Sequence, residues 1–254
     1  MLSPMWLPRW LGKSYANLYA RFELEPFDFK RACGVLDSEE QKVRLVLSRL
    51  RRAGYLTLLK KEGRKRIYRL MEPSMTVFAL GSSLERYTEI QGRYVRLLLL
   101  FARKILEKYG QKVFSIILYG SVARGCAEEK SDIDLLLIID DLPPSYSKRI
   151  EELVSLELDE SIHRELQFLR REGYSTGFSY IPLTPEEARS FHLLFLDVLT
   201  DGVRLVDRDS FFENLSKDFL GRLSRLGAKK LKTSDNAWYW ALKPDAKFGE
   251  MIQI

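Results

Sequence analysis

The chain has 254 residues, 46% of them apolar, with 41 Lys and Arg against 35 Asp and Glu and a formal net charge of +6. That is ample for a folded core and more than one unit, and the absence of any run of about 18 uncharged apolar residues excludes a membrane-spanning helix. Two cysteines far apart, Cys33 and Cys126, without clustered histidine, support neither a disulfide framework nor a zinc site.

The opening residues Met1 to Trp6 lack the basic, apolar, small-residue layout of a secretory leader, so the expected compartment is the cytoplasm. Charge is uneven: residues 1–73 hold 16 Lys and Arg against 8 Asp and Glu, while residues 74–254 hold 25 against 27. This asymmetry points to a basic module that meets polyanions, residues 1–73, joined at Glu72-Pro73-Ser74 to a nearly neutral one, residues 74–254. Within the first, residues 13–22, 27–36 and 38–53 read as helices, the third opening on Ser38 and Gln41 at capping-box spacing and closing at Gly54. Val43, Val46, Leu47 and Leu50 form its inward stripe, leaving Gln41, Lys42, Arg44, Ser48 and Arg51 outside. Residues 55–60 and 66–70 read as a hairpin with residues 61–65 at its tip. Three helices followed by a basic hairpin resemble a winged helix-turn-helix domain. The resemblance implies DNA docking through Lys42, Arg44, Arg51, Lys60, Lys61, Arg64, Lys65 and Arg66, with protein docking or dimerisation as the other use of such a domain.

After a loop through residues 81–83, residues 85–109 have a helical stripe of Ile90, Tyr94, Leu97, Leu98, Phe101 and Ile105 suited to packing on a sheet. The run 97–100 is core or a subunit interface, which leaves a homodimer open, because Arg93, Arg96, Arg103 and Lys104 bracket it. Strands are expected at 113–118 and 133–139, a helix over 147–171, a strand at 178–183, and a helix from Thr184 to about residue 199 with Thr184 as its N-cap. A short strand at 203–206 and a helix at 211–226 follow, and the aromatic tail from Trp238 is expected to pack on the sheet. His163 and His192 have no partner at ligand spacing and are left out of the chemistry; Cys126 beside the turn reads as a small filler, with a reactive thiol as the alternative.

The chemistry lies between the strands at 113–118 and 133–139. Gly120-Ser121 makes a tight turn, and Asp132 and Asp134 then fall on one face of a strand whose Ile133 and Leu135 point the other way. Two close carboxylates repel unless a cation lies between them, and hard oxygen donors suit Mg²⁺. Gly120 and Ser121, ten residues, then Asp132-x-Asp134 in an apolar strand, with Ala123, Arg124, Gly125 and Ser131 in register, resemble the signature of the polymerase-beta-like nucleotidyltransferases, especially the minimal ones. The resemblance implies an α+β or mixed α/β fold with a small mixed sheet flanked by helices behind the winged helix. It implies a nucleoside triphosphate cradled by Gly120, Ser121 and Arg124, with Mg²⁺ or Mn²⁺ held by Asp132 and Asp134, and transfer of a nucleoside monophosphate to a protein, RNA or small-molecule acceptor. The family's third carboxylate is expected on the strand at 178–183, which has no acid; Asp140, Asp141, Glu186, Glu187 and Asp245 are the nearby alternatives. A second reading is therefore a DNA-binding regulator or antitoxin-like protein whose transferase domain only binds nucleotide or a partner.

Overall fold

The computed structural model describes residues 7–82, 84–190, 195–232 and 238–245. The amino-terminal part comprises α1 (Arg9–Phe22), β1 (Phe27–Asp28), α2 (Phe29–Leu36), α3 (Glu40–Arg52), β2 (Leu56–Glu62) and β3 (Lys65–Leu70). The expected stripe Val43, Val46, Leu47 and Leu50 is buried with Leu18, Phe22 and Ala32 in a cluster of its own. Sequence periodicity places Phe27 and Asp28 in a helix, but they form a strand against β3. Phe27 stacks on Phe22 at 4.4 Å, and the Asp28 carboxylate accepts from the Arg31 amide at 2.8 Å to start α2. The expected capping box at Ser38 does not form: its hydroxyl donates to the Leu36 carbonyl at 3.0 Å, and α3 begins at Glu40.

The remainder runs α4 (Pro73–Gly81), a 3-10 turn (Glu85–Glu89), α5 (Gly92–Tyr109), β4 (Val113–Tyr119), α6 (Gly120–Arg124), β5 (Ile133–Ile139), α7 (Tyr146–Glu157) and α8 (Glu160–Arg171). Then come β6 (Phe178–Leu183), α9 (Pro185–Arg189), α10 (Phe195–Asp201), β7 (Val203–Asp207), α11 (Phe211–Arg225), β8 (Lys229–Lys232) and β9 (Trp238–Ala241). Three expected helices are shorter than their periodicity suggests. Ile90 is extended at φ −84°, ψ 154°, which separates the 3-10 turn from α5. Asp159 accepts from the Ser161 amide at 2.9 Å and so starts α8 afresh. Thr184 does form a full capping box with Glu187, but Ser190 at φ −80°, ψ 135° ends α9. His192 lies outside the described residues.

The main sheet has strand order β6-β5-β4-β7, with β5 parallel to β6 and the other pairs antiparallel. Alternation along the strands sends Ile116, Leu118, Ile133, Leu135 and Leu137 to one face, where they meet Leu98, Phe101, Leu153 and Leu169 of the α5, α7 and α8 layer. Ile117, Tyr119, Leu136 and Ile138 go to the other, against Phe195, Val198, Phe212 and Phe219. Leu97 to Leu100 are buried in the first core rather than presented to a second subunit. Of the aromatic tail, β9 pairs with β8 in a ribbon separate from the main sheet and Tyr239 is half exposed, while residues 246–254 lie outside the described residues.

A buried ionic network that sequence periodicity does not reveal ties the amino-terminal part to the rest. Arg69 of β3 forks onto Glu165 of α8 at 2.5 and 3.0 Å, and Arg96 of α5 reaches both Glu165 and Glu72 at 2.5 Å. Glu165 is 1% exposed.

Candidate active site

β4 ends at Tyr119 and the chain turns at Gly120, which sits at φ +73°, a conformation open to glycine; a Cβ there would lie 2.1 Å from Asp134 Oδ2. The turn residue and the carboxylate are thus packed directly against each other. Cross-strand register lines up Tyr119, Asp134 and Ser179 on β4, β5 and β6, on the face that carries Leu136 and Ile138. Asp132 stands just before β5, exposed, and its Oδ1 accepts from the Gly177 amide at 3.2 Å. The Asp134 carboxyl is pushed above the usual carboxylate range, first by burial and then by the Asp132 charge, against the opposing pull of Arg124 and a hydrogen bond with Ser179. Burial, with the Asp134 charge behind it, raises the Tyr119 phenol to about 12. Arg124 faces Asp201 of α10 at 3.6 Å. Asp201 also lies 3.6 Å from Lys230 of β8.

The donor chemistry fits a divalent cation. Burial and the neighbouring Asp132 charge raise the proton affinity of Asp134, the position beside it on β6 is a hydroxyl, and among the described residues no lysine or arginine is bonded to either acid. Among the described residues no third acid or histidine joins them in a cluster of ligand size. Four of the alternatives named from the sequence, Asp140, Asp141, Glu186 and Glu187, lie elsewhere. Asp140 and Asp141 follow the far end of β5, about 20 Å along the strand from Asp134, and Asp141 pairs with Lys112. Glu187 is held by Arg149 and by the Thr184 cap, and Glu186 by Arg189 at 3.4 Å. A site of this kind takes the rest of a metal's coordination from water and substrate phosphate.

Ser179, Gly177 and Asp201 were not singled out by sequence reasoning. Ser179 was accessible to it, since a parallel β6 read in register places the second residue beside Asp134; Asp201 depends on the tertiary placement of α10 and carries no local signal. Cys126 is exposed, with its sulfur 3.7 Å from the Ser121 carbonyl, so it is no filler. His163 faces Gln167 on the exposed side of α8.

The basic residues of the amino-terminal part divide. Lys60 bridges Glu62 and Glu172 at 3.0 and 2.9 Å, tying β2 to the end of α8 instead of facing solvent as a phosphate contact. Lys65 pairs with Asp28 at 2.7 Å and Arg44 with Glu40 at 3.1 Å, both remaining exposed. Lys42, Arg51, Lys61, Arg64 and Arg66 are exposed on α3 and around the hairpin tip. No described helix is long and apolar enough to cross a membrane.

The model of the polymerase beta nucleotidyltransferase family matches residues 102–180, which span the turn and both acids. A Methanocaldococcus jannaschii protein, MJ1305, named as a candidate protein adenylyltransferase, is 36% identical over 116 residues, 45% of this chain and 72% of that protein. Among solved structures, a toxin–antitoxin crystal structure with AMP-PNP aligns at 18% identity and TM-score 0.33 over 50% of this chain and 86% of its own. A substituted MntA–HpeT toxin–antitoxin aligns at 18% identity and TM-score 0.33 over 49% and 86%.

Proposed function

This chain belongs to the polymerase beta nucleotidyltransferase family, and from that premise we propose that it transfers a nucleoside monophosphate, AMP in the first instance, from a nucleoside triphosphate to a protein hydroxyl. The observation that carries this reading is the packing of Gly120 against Asp134 with Asp132 beside it, a glycine turn and two carboxylates at one strand end. In this scheme the Gly120-Ser121 turn and the Arg124 guanidinium bind the triphosphate. The acceptor oxygen attacks the α-phosphorus, the bond from that phosphorus to the bridging oxygen breaks, pyrophosphate leaves with the electron pair, and the hydroxyl proton passes to solvent. Asp132 and Asp134 would hold Mg²⁺ or Mn²⁺, which would supply charge neutralisation at the triphosphate. The named activity of MJ1305 supports the choice of a protein acceptor. Incubation with labelled ATP, Mg²⁺ or Mn²⁺ and cell extract is expected to place label on a protein; absence of label with every triphosphate overturns the proposal.

Ser179 standing where a third acid is expected favours a second reading, in which the site binds nucleotide and the chain acts as a regulator or antitoxin-like partner. Nucleotide binding without transfer in the same experiment distinguishes it. For the amino-terminal part, residues 1–73, we infer a winged-helix domain that docks on the DNA backbone, supported by the exposed cations on α3 and the hairpin.

A further inference from the structure

Residues 125–131 join the phosphate turn to Asp132, and side chains from the first turn of α5 hold that loop by its backbone. Gln91 Nε2 donates to the Gly125 carbonyl at 2.6 Å, the Arg93 guanidinium to the Ala127 carbonyl, and the Tyr94 hydroxyl to the Glu128 carbonyl at 3.1 Å. Three donors within four residues therefore meet three carbonyls within four residues. Arg93 is itself fixed between two rings, 4.9 Å from the centre of Tyr94 and 4.5 Å from that of Tyr174. On the other side of the loop, the Ser175 amide donates to the Glu129 carbonyl and the Thr176 hydroxyl to the Ser131 carbonyl, each at 2.8 Å.

The same turn of α5 rests on the amino-terminal hairpin. A Cβ on Gly92 would lie 2.4 Å from the Leu58 carbonyl oxygen and 2.8 Å from the Leu58 nitrogen, so the two backbones meet where a larger residue has no room. Gly92 stands between Gln91 and Arg93, two of the three donors. The loop bearing Asp132 takes its place from α5, and the start of α5 takes its place from β2.

We infer that Gln91, Arg93 and Tyr94 are positioning residues for nucleotidyl transfer, and that the hairpin, through Gly92, sets where they stand. This rests on the transferase reading above. None of the three belongs to the turn or the acid pair; their effect is on the placement of both, and a misplacement of about 1 Å in an active site lowers turnover by about 100-fold.

The test uses the whole chain and the variants Gln91→Leu, Arg93→Met, Arg93→Lys and Gly92→Ala. Amide hydrogen exchange is followed at Cys126, Glu128, Ser131 and Ile133, whose amides bond within or beside the loop, alongside kcat and KM for ATP. Exchange at these amides should quicken at least tenfold in Gln91→Leu, Arg93→Met and Gly92→Ala while the centre of β5 is unchanged. kcat should fall tenfold or more with KM for ATP within threefold, and Arg93→Lys, which keeps a donor, should recover most of kcat. Unchanged loop exchange in Gln91→Leu and Arg93→Met overturns the clamp, and quickened exchange with unchanged kcat overturns its role in positioning. Normal exchange in Gly92→Ala overturns the link to the hairpin. A wild-type chain that binds Mn²⁺ and ATP yet transfers nothing sinks the transferase reading, and the exchange data then decide the clamp alone.

Discussion

At Gly120 one missing carbon separates a binding site from a collision. In Gly120→Ala the left-handed backbone costs about 1–2 kcal/mol, and the new methyl displaces Asp134, whose Oδ2 it would meet at 2.1 Å. The ATP- and Mg²⁺-induced rise in Tm should disappear while the apo protein melts only a few degrees lower. Asp134 itself has a pH signature. Its raised pKa means that the folded state holds the proton more tightly than the unfolded chain, so its contribution to stability is full at low pH and is lost as pH rises through that pKa. Asp134→Asn should therefore match wild type in apo stability near pH 3 and exceed it slightly at pH 7. The same substitution, with Asp132→Asn, should remove Mg²⁺-dependent nucleotide binding. An apo double variant that melts far below wild type would make the pair structural. Metal affinity in the wild type should weaken as pH falls through the same range, because protonation removes a ligand.

For the hairpin β2–β3 and the face of α3, the five exposed cations Lys42, Arg51, Lys61, Arg64 and Arg66 set an expected slope of log K against log salt of about −4 to −5 for duplex DNA. Replacing Arg64, Lys65 and Arg66 together by Ala should flatten that slope measurably; an unchanged slope moves this face to protein docking. Another element-scale test concerns the α8 start. The Lys104 ion pair and the Ser161 hydrogen bonds hold Asp159 down to about 2, so its stabilisation is present above pH 4 and fades as pH falls toward 2. Asp159→Ala should cost about 1 kcal/mol at neutral pH and clearly less at pH 2. These elements also show where sequence is informative. The turn, the acid pair and the stripe Val43, Val46, Leu47 and Leu50 are local patterns, and each could be read from spacing alone. The breaks at Ile90, Asp159 and Ser190 could not, because apolar periodicity continues across them and the deciding contacts are caps and extended residues. The two strand residues Phe27 and Asp28 leave too short a pattern to see, and the Lys60 bridge to Glu172 joins residues far apart in the chain.

Across the whole molecule, Glu165 is the anchor that Arg69 and Arg96 share. Glu165→Ala leaves two largely buried guanidinium groups without their common counter-charge, which should cost about 3–5 kcal/mol and lower Tm by roughly 10 °C. Calorimetry should then show the amino-terminal cluster and the sheet melting in two steps where the wild type melts in one. Arg69 and Glu165 are 96 residues apart in sequence, and this spacing has a consequence for synthesis. At about 5–20 residues per second on the ribosome, the hairpin is complete some 5–20 seconds before its acidic partner exists. Through that interval Arg69 keeps the Leu24 carbonyl and β3 its place between β1 and β2, but the buried fork onto α8 is unmade. The tie between β3 and α8 therefore closes only after translation has passed β5.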